Sequence, residues 1–159
     1  MRKMFLLCKK GANFALLEHM FGIAIFLLAY FYPMMTLYTV DNWPTQRWPN
    51  FAQREMICSH SGECRLDPTS MDCLQRLRNT VGLPLPVSSA YRSPDHPVEA
   101  SKERGGSHTL GQAFDVVCRG ATAYKVVSVA MDAGFTGIGV AQSGEGRFIH
   151  LDTITHLDD

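Results

Sequence analysis

The sequence predicts an α+β domain in which a small antiparallel sheet is covered by helices on one side and is preceded by a hydrophobic N-terminal helix. Two segments with helical periodicity alternate with short segments of strand character, which is typical of this fold class. The last two strand segments flank the turn sequence SGEG, as in a β-hairpin. The chain of 159 residues is long enough for one domain with a hydrophobic core.

Residues 1–38 are predicted to be a basic and hydrophobic membrane anchor. Only Glu18 and His19 interrupt the apolar run Phe14–Tyr38, and a membrane-spanning helix needs about 20 apolar residues. The run is longer than the core of a secretory signal and lacks a small-residue cleavage site. The basic residues before it predict a cytoplasmic N-terminus, with the domain on the periplasmic or cell-wall side. A buried helix of a soluble protein and a mis-assigned start codon are the alternatives.

The charge distribution argues against nucleic acid as a partner. The chain has 15 Lys and Arg against 15 Asp and Glu, so its formal net charge of zero provides no global field for a polyanion. From Phe51 onward the acidic residues outnumber the basic ones by 13 to 10. We therefore expect that the protein does not bind nucleic acid. A monomer is expected as well.

Residues 39–49, TVDNWPTQRWP, are predicted to link the anchor to a domain at 50–159, because prolines punctuate them and no periodicity appears. The first helix of the domain follows Asp67, which can cap it, and runs to Val81 before Gly82. The later segments are a strand at Leu85–Ala90, a loop at Tyr91–Ser107, a strand at Gln112–Cys118, a helix at Thr122–Ala133 and two hairpin strands at Phe135–Ala141 and Phe148–Thr153.

Five cysteines, at positions 8, 58, 64, 73 and 118, match no strong zinc-finger spacing. They are interpreted as small buried residues or as one disulfide. A second metal site formed by Cys58, His60 and Cys64 is the alternative.

A different group of polar residues carries the candidate chemistry. His150 and Asp152 stand two apart on the last strand, so both side chains point to one face. If that strand lies beside the one with Asp115, then His108, Asp115 and His150 can converge. Two imidazoles and one carboxylate are a ligand set of catalytic zinc, which activates a water and polarises a scissile carbonyl. By spacing alone, an isolated histidine is more often a surface or hydrogen-bonded residue than a metal ligand.

Four sequence blocks in this order resemble the zinc D-alanyl-D-alanine peptidase family of bacterial carboxypeptidases and phage endolysins: SAYRSP, GGSHTLGQAFDV, GFTGIGVA and FIHLD. The resemblance covers about Asn50–Asp152 and implies a hedgehog/DD-peptidase type fold with Zn²⁺ on the sheet. It places the zinc ligands at His108, Asp115 and His150. It also implies that Arg92 holds substrate and stabilises the oxyanion; a solvated loop cation is the alternative for Arg92.

One position departs from the family pattern. Many members have a catalytic Asp or Glu three residues before the last ligand, and here that residue is Arg147. We therefore predict that Asp152 is the general base, with orientation of a ligand as its alternative role. Glu145, in the hairpin turn, is the second candidate for the base, and a solvated turn residue is its alternative reading.

The leading functional hypothesis is a zinc peptidase that hydrolyses amide bonds of peptidoglycan stem peptides or cross-links, as a carboxypeptidase or as an endolysin-type endopeptidase. The alternative is a non-catalytic, zinc-stabilised module that binds cell-wall peptides, because Arg147 occupies the expected position of the base. A membrane protein whose domain only spaces its partners is a third hypothesis.

Overall fold

The computed structural model describes residues 35–154 of the chain. The predicted anchor at 1–38 lies outside these residues, except for its last few positions. Within residues 35–154, none of the helices combines the length and the apolar character needed to cross a bilayer. The hydrophobic N-terminal helix therefore stays a prediction.

Six strands, three helices and two 3-10 turns make up this part of the chain. In order they are β1 (Thr36–Leu37), a 3-10 turn (Gln53–Glu55), β2 (Arg65–Leu66), α1 (Pro68–Val81), β3 (Val87–Ser89), α2 (Pro97–Ala100), a 3-10 turn (Ser107–Leu110), β4 (Ala113–Val117), α3 (Gly120–Ala130), β5 (Gly137–Ala141) and β6 (Phe148–Asp152). One antiparallel sheet has the order β3-β4-β6-β5, and β1 pairs with β2 separately. The mixed α+β class and the β5–β6 hairpin are confirmed.

Helix α1 begins and ends as its sequence predicts. Oδ1 of Asp67 accepts the N–H of Thr69 at 3.0 Å, and Pro68 occupies the first turn, where no N–H is needed. Gly82 ends the helix with a φ of 70°, a left-handed conformation that favours glycine. The buried face of α1 joins the core through four apolar side chains: Met71, Leu74, Leu77 and Val81.

Alternation along the central strands separates the core from the polar face of the sheet. Four side chains of β4 and β6 are fully buried in the core that α1 and α3 share: Phe114, Val116, Ile149 and Leu151. Asp115 and His150 lie between them in sequence and directly opposite each other in the register. Directly opposed residues of an antiparallel pair share one face, so Asp115 and His150 face away from the core.

The predicted linker packs against the domain. Trp48 has no exposed surface, and its ring centroid lies 5.3 Å from that of Tyr38 and 5.1 Å from that of Trp43. Its Nε1–H donates to Oδ1 of Asp72, in α1, at 2.9 Å. Trp48 therefore packs into the fold as a buried aromatic side chain with a hydrogen-bonded N–H, and the division of the chain at 39–49 into linker and domain stays a prediction.

Smaller differences concern the ends of the elements. The predicted loop 91–107 contains the short helix α2, whose first N–H groups are capped by His96: its Nδ1 accepts the N–H of Val98 at 3.2 Å. Strand β3 is shorter than predicted, and α3 begins two residues before Thr122 and ends at Ala130. Ends of elements are the least determined part of a sequence pattern.

Candidate active site

Three potential metal donors converge on the polar face of the sheet. His108 comes from the 3-10 turn before β4, Asp115 from the centre of β4 and His150 from β6. Each residue offers one ligand atom, and these atoms lie within 4.8 Å of one another. The prediction that the strands of Asp115 and His150 lie side by side is confirmed by their register. The three donors line an open pocket of about 380 Å³.

The hydrogen bonding of His108 tests whether a cation fits here. Nδ1 of this buried imidazole lies 2.6 Å from the carbonyl oxygen of Ala90, so Nδ1 carries a proton and donates it. In the neutral ring, Nε2 then presents a lone pair to Oδ1 of Asp115, 3.3 Å away. Two acceptors at this distance require a proton or a metal ion between them. The donor set therefore fits a metal such as zinc.

His150 shares the same carboxylate oxygen. Its Nδ1 lies 2.8 Å from Oδ1 of Asp115, while its Nε2 lies 3.2 Å from Oδ2 of Asp152 and 3.3 Å from Oγ of Ser107. The hydrogen bond to Asp115 raises the pKa of His150 despite burial. Burial acts to raise the pKa of Asp115, but the contacts of its carboxylate with the imidazoles of His108 and His150 hold it well below its usual range. Asp115 is therefore ionised, as a metal ligand must be.

Two glycines of β5 make room for this face of β6. A Cβ at Gly139 would lie 3.0 Å from Cβ of His150, and one at Gly137 would lie 2.6 Å from Cγ of Asp152. Side chains at Gly139 and Gly137 would displace His150 and Asp152, respectively. The alternating glycines of GFTGIGVA were available in the sequence as a signal of this close approach.

Arg92 reaches the site from the loop after β3. Its Nη2 donates to Oδ2 of Asp115 at 2.8 Å, and its Nε donates to Oγ of Ser89 at 2.9 Å. Its Nη1 lies 3.3 Å from Oε1 of Glu99. Arg92 is therefore held between two carboxylates, that of the candidate metal ligand Asp115 and that of Glu99. A solvated loop cation, the alternative for Arg92, would make no such contacts.

Glu99 is the residue of this network that sequence reasoning missed. Both of its oxygens lie 2.9 Å from Nζ of Lys102, and Oε2 accepts the N–H of Gly106 at 3.0 Å. Burial acts to raise the pKa of Glu99, but hydrogen bonds from Lys102, Gly106 and Arg92 lower it to about 2. The available signal was an i,i+3 Glu–Lys pair between the predicted arginine and the first histidine.

The two candidate bases lie in different surroundings. Asp152 is buried on the polar face and lies against His150, as described above. Glu145 is exposed in the β5–β6 turn and does not line the pocket of the three donors. Arg147 is turned away from that pocket: its Nε donates to the carbonyl oxygen of Gly144 at 2.7 Å, and its side chain lines another cavity beside Tyr124.

The second metal site that the sequence left open, at Cys58, His60 and Cys64, has no support in residues 35–154. In this range only one group of three donors is close enough to share an ion. The four cysteines in this range are free and buried: Cys58, Cys64, Cys73 and Cys118. Burial raises the pKa of the Cys64 thiol to about 12. Burial also acts to raise the pKa of Cys58, but backbone N–H groups, that of Ser93 first, lower it to about 7.

Two imidazoles and one carboxylate in an open pocket are the donor set of metal-dependent hydrolases. The model of the family Peptidase M15 matches residues 49–152, so the chain belongs to this family, and the resemblance carried by the four sequence blocks is confirmed. Membership indicates a metallopeptidase. No curated protein and no solved structure matches the chain.

Proposed function

We propose that this domain is a zinc peptidase that hydrolyses amide bonds in peptidoglycan stem peptides or cross-links. The observation that carries the proposal is the shared Oδ1 of Asp115, which faces Nδ1 of His150 at 2.8 Å and Nε2 of His108 at 3.3 Å. Both imidazoles aim a nitrogen at one ionised oxygen in a pocket open to solvent. Such an arrangement suits a cation that also contacts a substrate.

His108, Asp115 and His150 would hold the zinc. When bound, zinc supplies a Lewis acid that polarises the peptide carbonyl and makes water a nucleophile near neutral pH. The hydrogen bond from Nδ1 of His108 to Ala90 fixes the tautomer that leaves Nε2 as the donor atom. Arg92 keeps Asp115 in place through Nη2.

Arg92 is also the residue best placed to stabilise negative charge that develops on the carbonyl oxygen. Its side chain is 19% exposed and lines the pocket beside the three donors. Three of the five N–H donors of its guanidinium bind Ser89, Glu99 and Asp115, so two remain for a ligand. A fixed cation at the reacting carbonyl lowers the barrier because no solvent must reorganise.

We propose in addition that residues 1–38 anchor the protein with this domain on the outer side of the membrane, where peptidoglycan is found. The support is the apolar run Phe14–Tyr38 with four basic residues before it. Membrane fractionation of the full-length chain tests this. Protein that stays in the membrane pellet after alkaline extraction supports the anchor, and uncleaved full-length protein that is wholly soluble contradicts it.

One observation favours a second candidate function, a zinc-stabilised module that binds cell-wall peptides without cleaving them. Apart from Asp115, no carboxylate lines the pocket within residues 35–154, and the expected position of the base is Arg147, which is turned away. A peptidase needs a group that takes a proton from the attacking water.

Turnover separates the two candidates. The full-length protein is incubated with purified peptidoglycan, with and without a zinc chelator, and released peptides are identified by mass spectrometry. Release that stops with chelator and returns with zinc supports the peptidase. Zinc-dependent binding to peptidoglycan with no released peptide supports the binding module and excludes hydrolysis of this substrate.

A further inference from the structure

The outer edge of the sheet, at β5, is unprotected. Strand β5 pairs with β6 on one side and with no strand of residues 35–154 on the other. Its five residues, Gly137–Ala141, include no charged side chain and no proline, and their register with β6 is regular. Natural proteins use charges, prolines and bulges to keep a free edge from pairing with another chain. Their absence from β5 indicates that this edge accepts a strand.

An exposed apolar surface continues from this edge onto α3. Val140 lies directly opposite the buried Ile149 and therefore faces the helix layer, yet it is 63% exposed. Tyr124, Val127 and Met131 follow one another at i, i+3 and i+7, which places them on one face of α3. Tyr124 is 77% exposed and Met131 is 72% exposed. Single exposed apolar residues are normal, but a patch of them beside a free strand edge marks an interaction surface.

The two ends of this surface have complementary chemistry. One end is a groove of about 430 Å³ with apolar walls and Arg147 at its rim. Nε of Arg147 donates to the carbonyl oxygen of Gly144, and its two Nη groups meet no carboxylate within residues 35–154. The other end carries Met131 and Asp132, both exposed, and Asp132 has no ion pair in the described part of the chain. The groove suits an apolar side chain next to an anion, and the chain itself presents such a pair.

The order of the elements brings these two ends together in a two-fold dimer. The groove lies where α3 begins and β5 ends, because Gly120 and Gln142 both line it. Asp132 lies in the connection from the end of α3 to the beginning of β5. Two β5 strands that pair antiparallel about a two-fold axis place the beginning of each beside the end of the other. Met131 and Asp132 of each copy then face the groove and Arg147 of the other copy.

We infer that two copies of this chain pair through β5, with Met131 of each copy in the groove of the other and Asp132 opposite Arg147. Directly opposed residues of an antiparallel pair share one face. The two sheets therefore join into one continuous sheet, with both candidate metal sites on the same side and the helices on the other. Both pockets then open toward the same surface of a substrate. The inference goes beyond the proposed peptidase function and differs from the monomer expected from the sequence.

Charge reversal tests this interface in the full-length, zinc-loaded protein in detergent, with sedimentation equilibrium as the measure of the dimer dissociation constant. Arg147→Glu alone and Asp132→Arg alone should each raise this constant by about 10–100-fold, because like charges then meet at both symmetric contacts. The double variant should return it to near the wild-type value. Glu103→Arg combined with Arg104→Glu is the matched control: both residues are exposed, neither lines the groove, and the constant should not change.

Hydrogen exchange separates this contact from association through any other part of the chain. The amides of β5 should exchange more slowly at high than at low concentration of the wild type, and Arg147→Glu should remove the difference. Circular dichroism verifies that each variant is folded. A wild-type monomer whose β5 exchange is independent of concentration would overturn the inference and leave this surface to a different partner. A dimer that neither single reversal weakens would overturn it too, as would single losses that the double variant does not rescue.

Discussion

Asp152 and Asp115 approach His150 from its two different ring nitrogens: Oδ2 of Asp152 lies 3.2 Å from Nε2, and Oδ1 of Asp115 lies 2.8 Å from Nδ1. If Nδ1 binds the metal, Asp152 lies on the far side of the ring from the ion. A carboxylate in this position fixes the tautomer of a metal-binding histidine and raises its basicity. The geometry therefore favours the orienting role of Asp152 over the role of general base, and the assignment of the base stays a prediction.

We predict that Asp152→Asn weakens zinc affinity by roughly 10–100-fold, as loss of a ligand's hydrogen-bonding partner does, and that activity returns at saturating zinc. Competition with a metal-binding dye gives the affinity, and peptide release gives kcat. Glu145→Gln is the control, because this exposed turn carboxylate does not line the pocket, and it should leave both values near the wild type. A loss of about 100-fold in kcat with zinc fully bound would instead assign Asp152 as the base.

Replacing His108, Asp115 or His150 by Ala should abolish stoichiometric zinc and activity together, because each supplies one of three protein donors. Elemental analysis of the purified variants measures the metal. Since metal binding is coupled to folding, the zinc-free protein should also unfold at a lower temperature. His96→Ala is the control, because His96 caps α2 and does not line the pocket. Full zinc content in all three variants would rule out the site.

Arg92→Ala should lower kcat by about 10²–10³ at saturating zinc, because a cation at the reacting carbonyl is lost. It should also weaken zinc affinity, since Nη2 no longer holds Asp115. Arg92→Lys should recover only part of either value, because an ammonium cannot reproduce the planar contacts with Ser89, Glu99 and Asp115. Near-normal kinetics in Arg92→Ala would instead support the alternative that Arg92 is a solvated loop cation.

The lowered pKa of Glu99 predicts that the free energy of unfolding depends on pH. Its pKa in the folded protein is about 2, below the value of about 4.3 expected in the unfolded chain. Between these values the unfolded state binds more protons, so the stabilisation from Glu99 is complete above about pH 5 and is lost as the pH falls toward 2. Urea unfolding should therefore show Glu99→Gln less stable than wild type at pH 7, with a difference that narrows on acidification. Glu103→Gln, an exposed neighbour, should show no such trend.

Local patterns carried enough information for much of the fold. Helix α1 is determined by the Asp67 cap, an apolar stripe and Gly82, all within one segment. The hairpin follows from two strand segments around a short turn, and it brings β6 beside the glycines of β5. The convergence of His108, Asp115 and His150 could be predicted because the family motif encodes a long-range arrangement that spacing alone does not.

Contacts that no motif encodes were harder to predict. Glu99 stands in the short helix α2, and its i,i+3 spacing to Lys102 does not indicate that Arg92 binds the same carboxylate. Trp48 is likewise held by a partner in another element, Asp72 of α1. Prolines around Trp48 indicate only that the backbone is not helical, and they carry no information about where its side chain is buried.

Burial of Trp48 predicts that segment 39–49 contributes to the stability of the domain. Trp48→Ala should lower the free energy of unfolding by about 3–5 kcal/mol, the usual range for removal of a buried aromatic side chain. Trp48→Phe should lose less, because it removes the hydrogen bond to Asp72 but keeps most of the packing against Tyr38 and Trp43. Val40→Ala is the control, because Val40 is 80% exposed and such changes usually stay within about 0.5 kcal/mol. Urea unfolding of the four proteins measures the differences, and a Trp48→Ala value equal to that of Val40→Ala would show that this segment does not stabilise the domain.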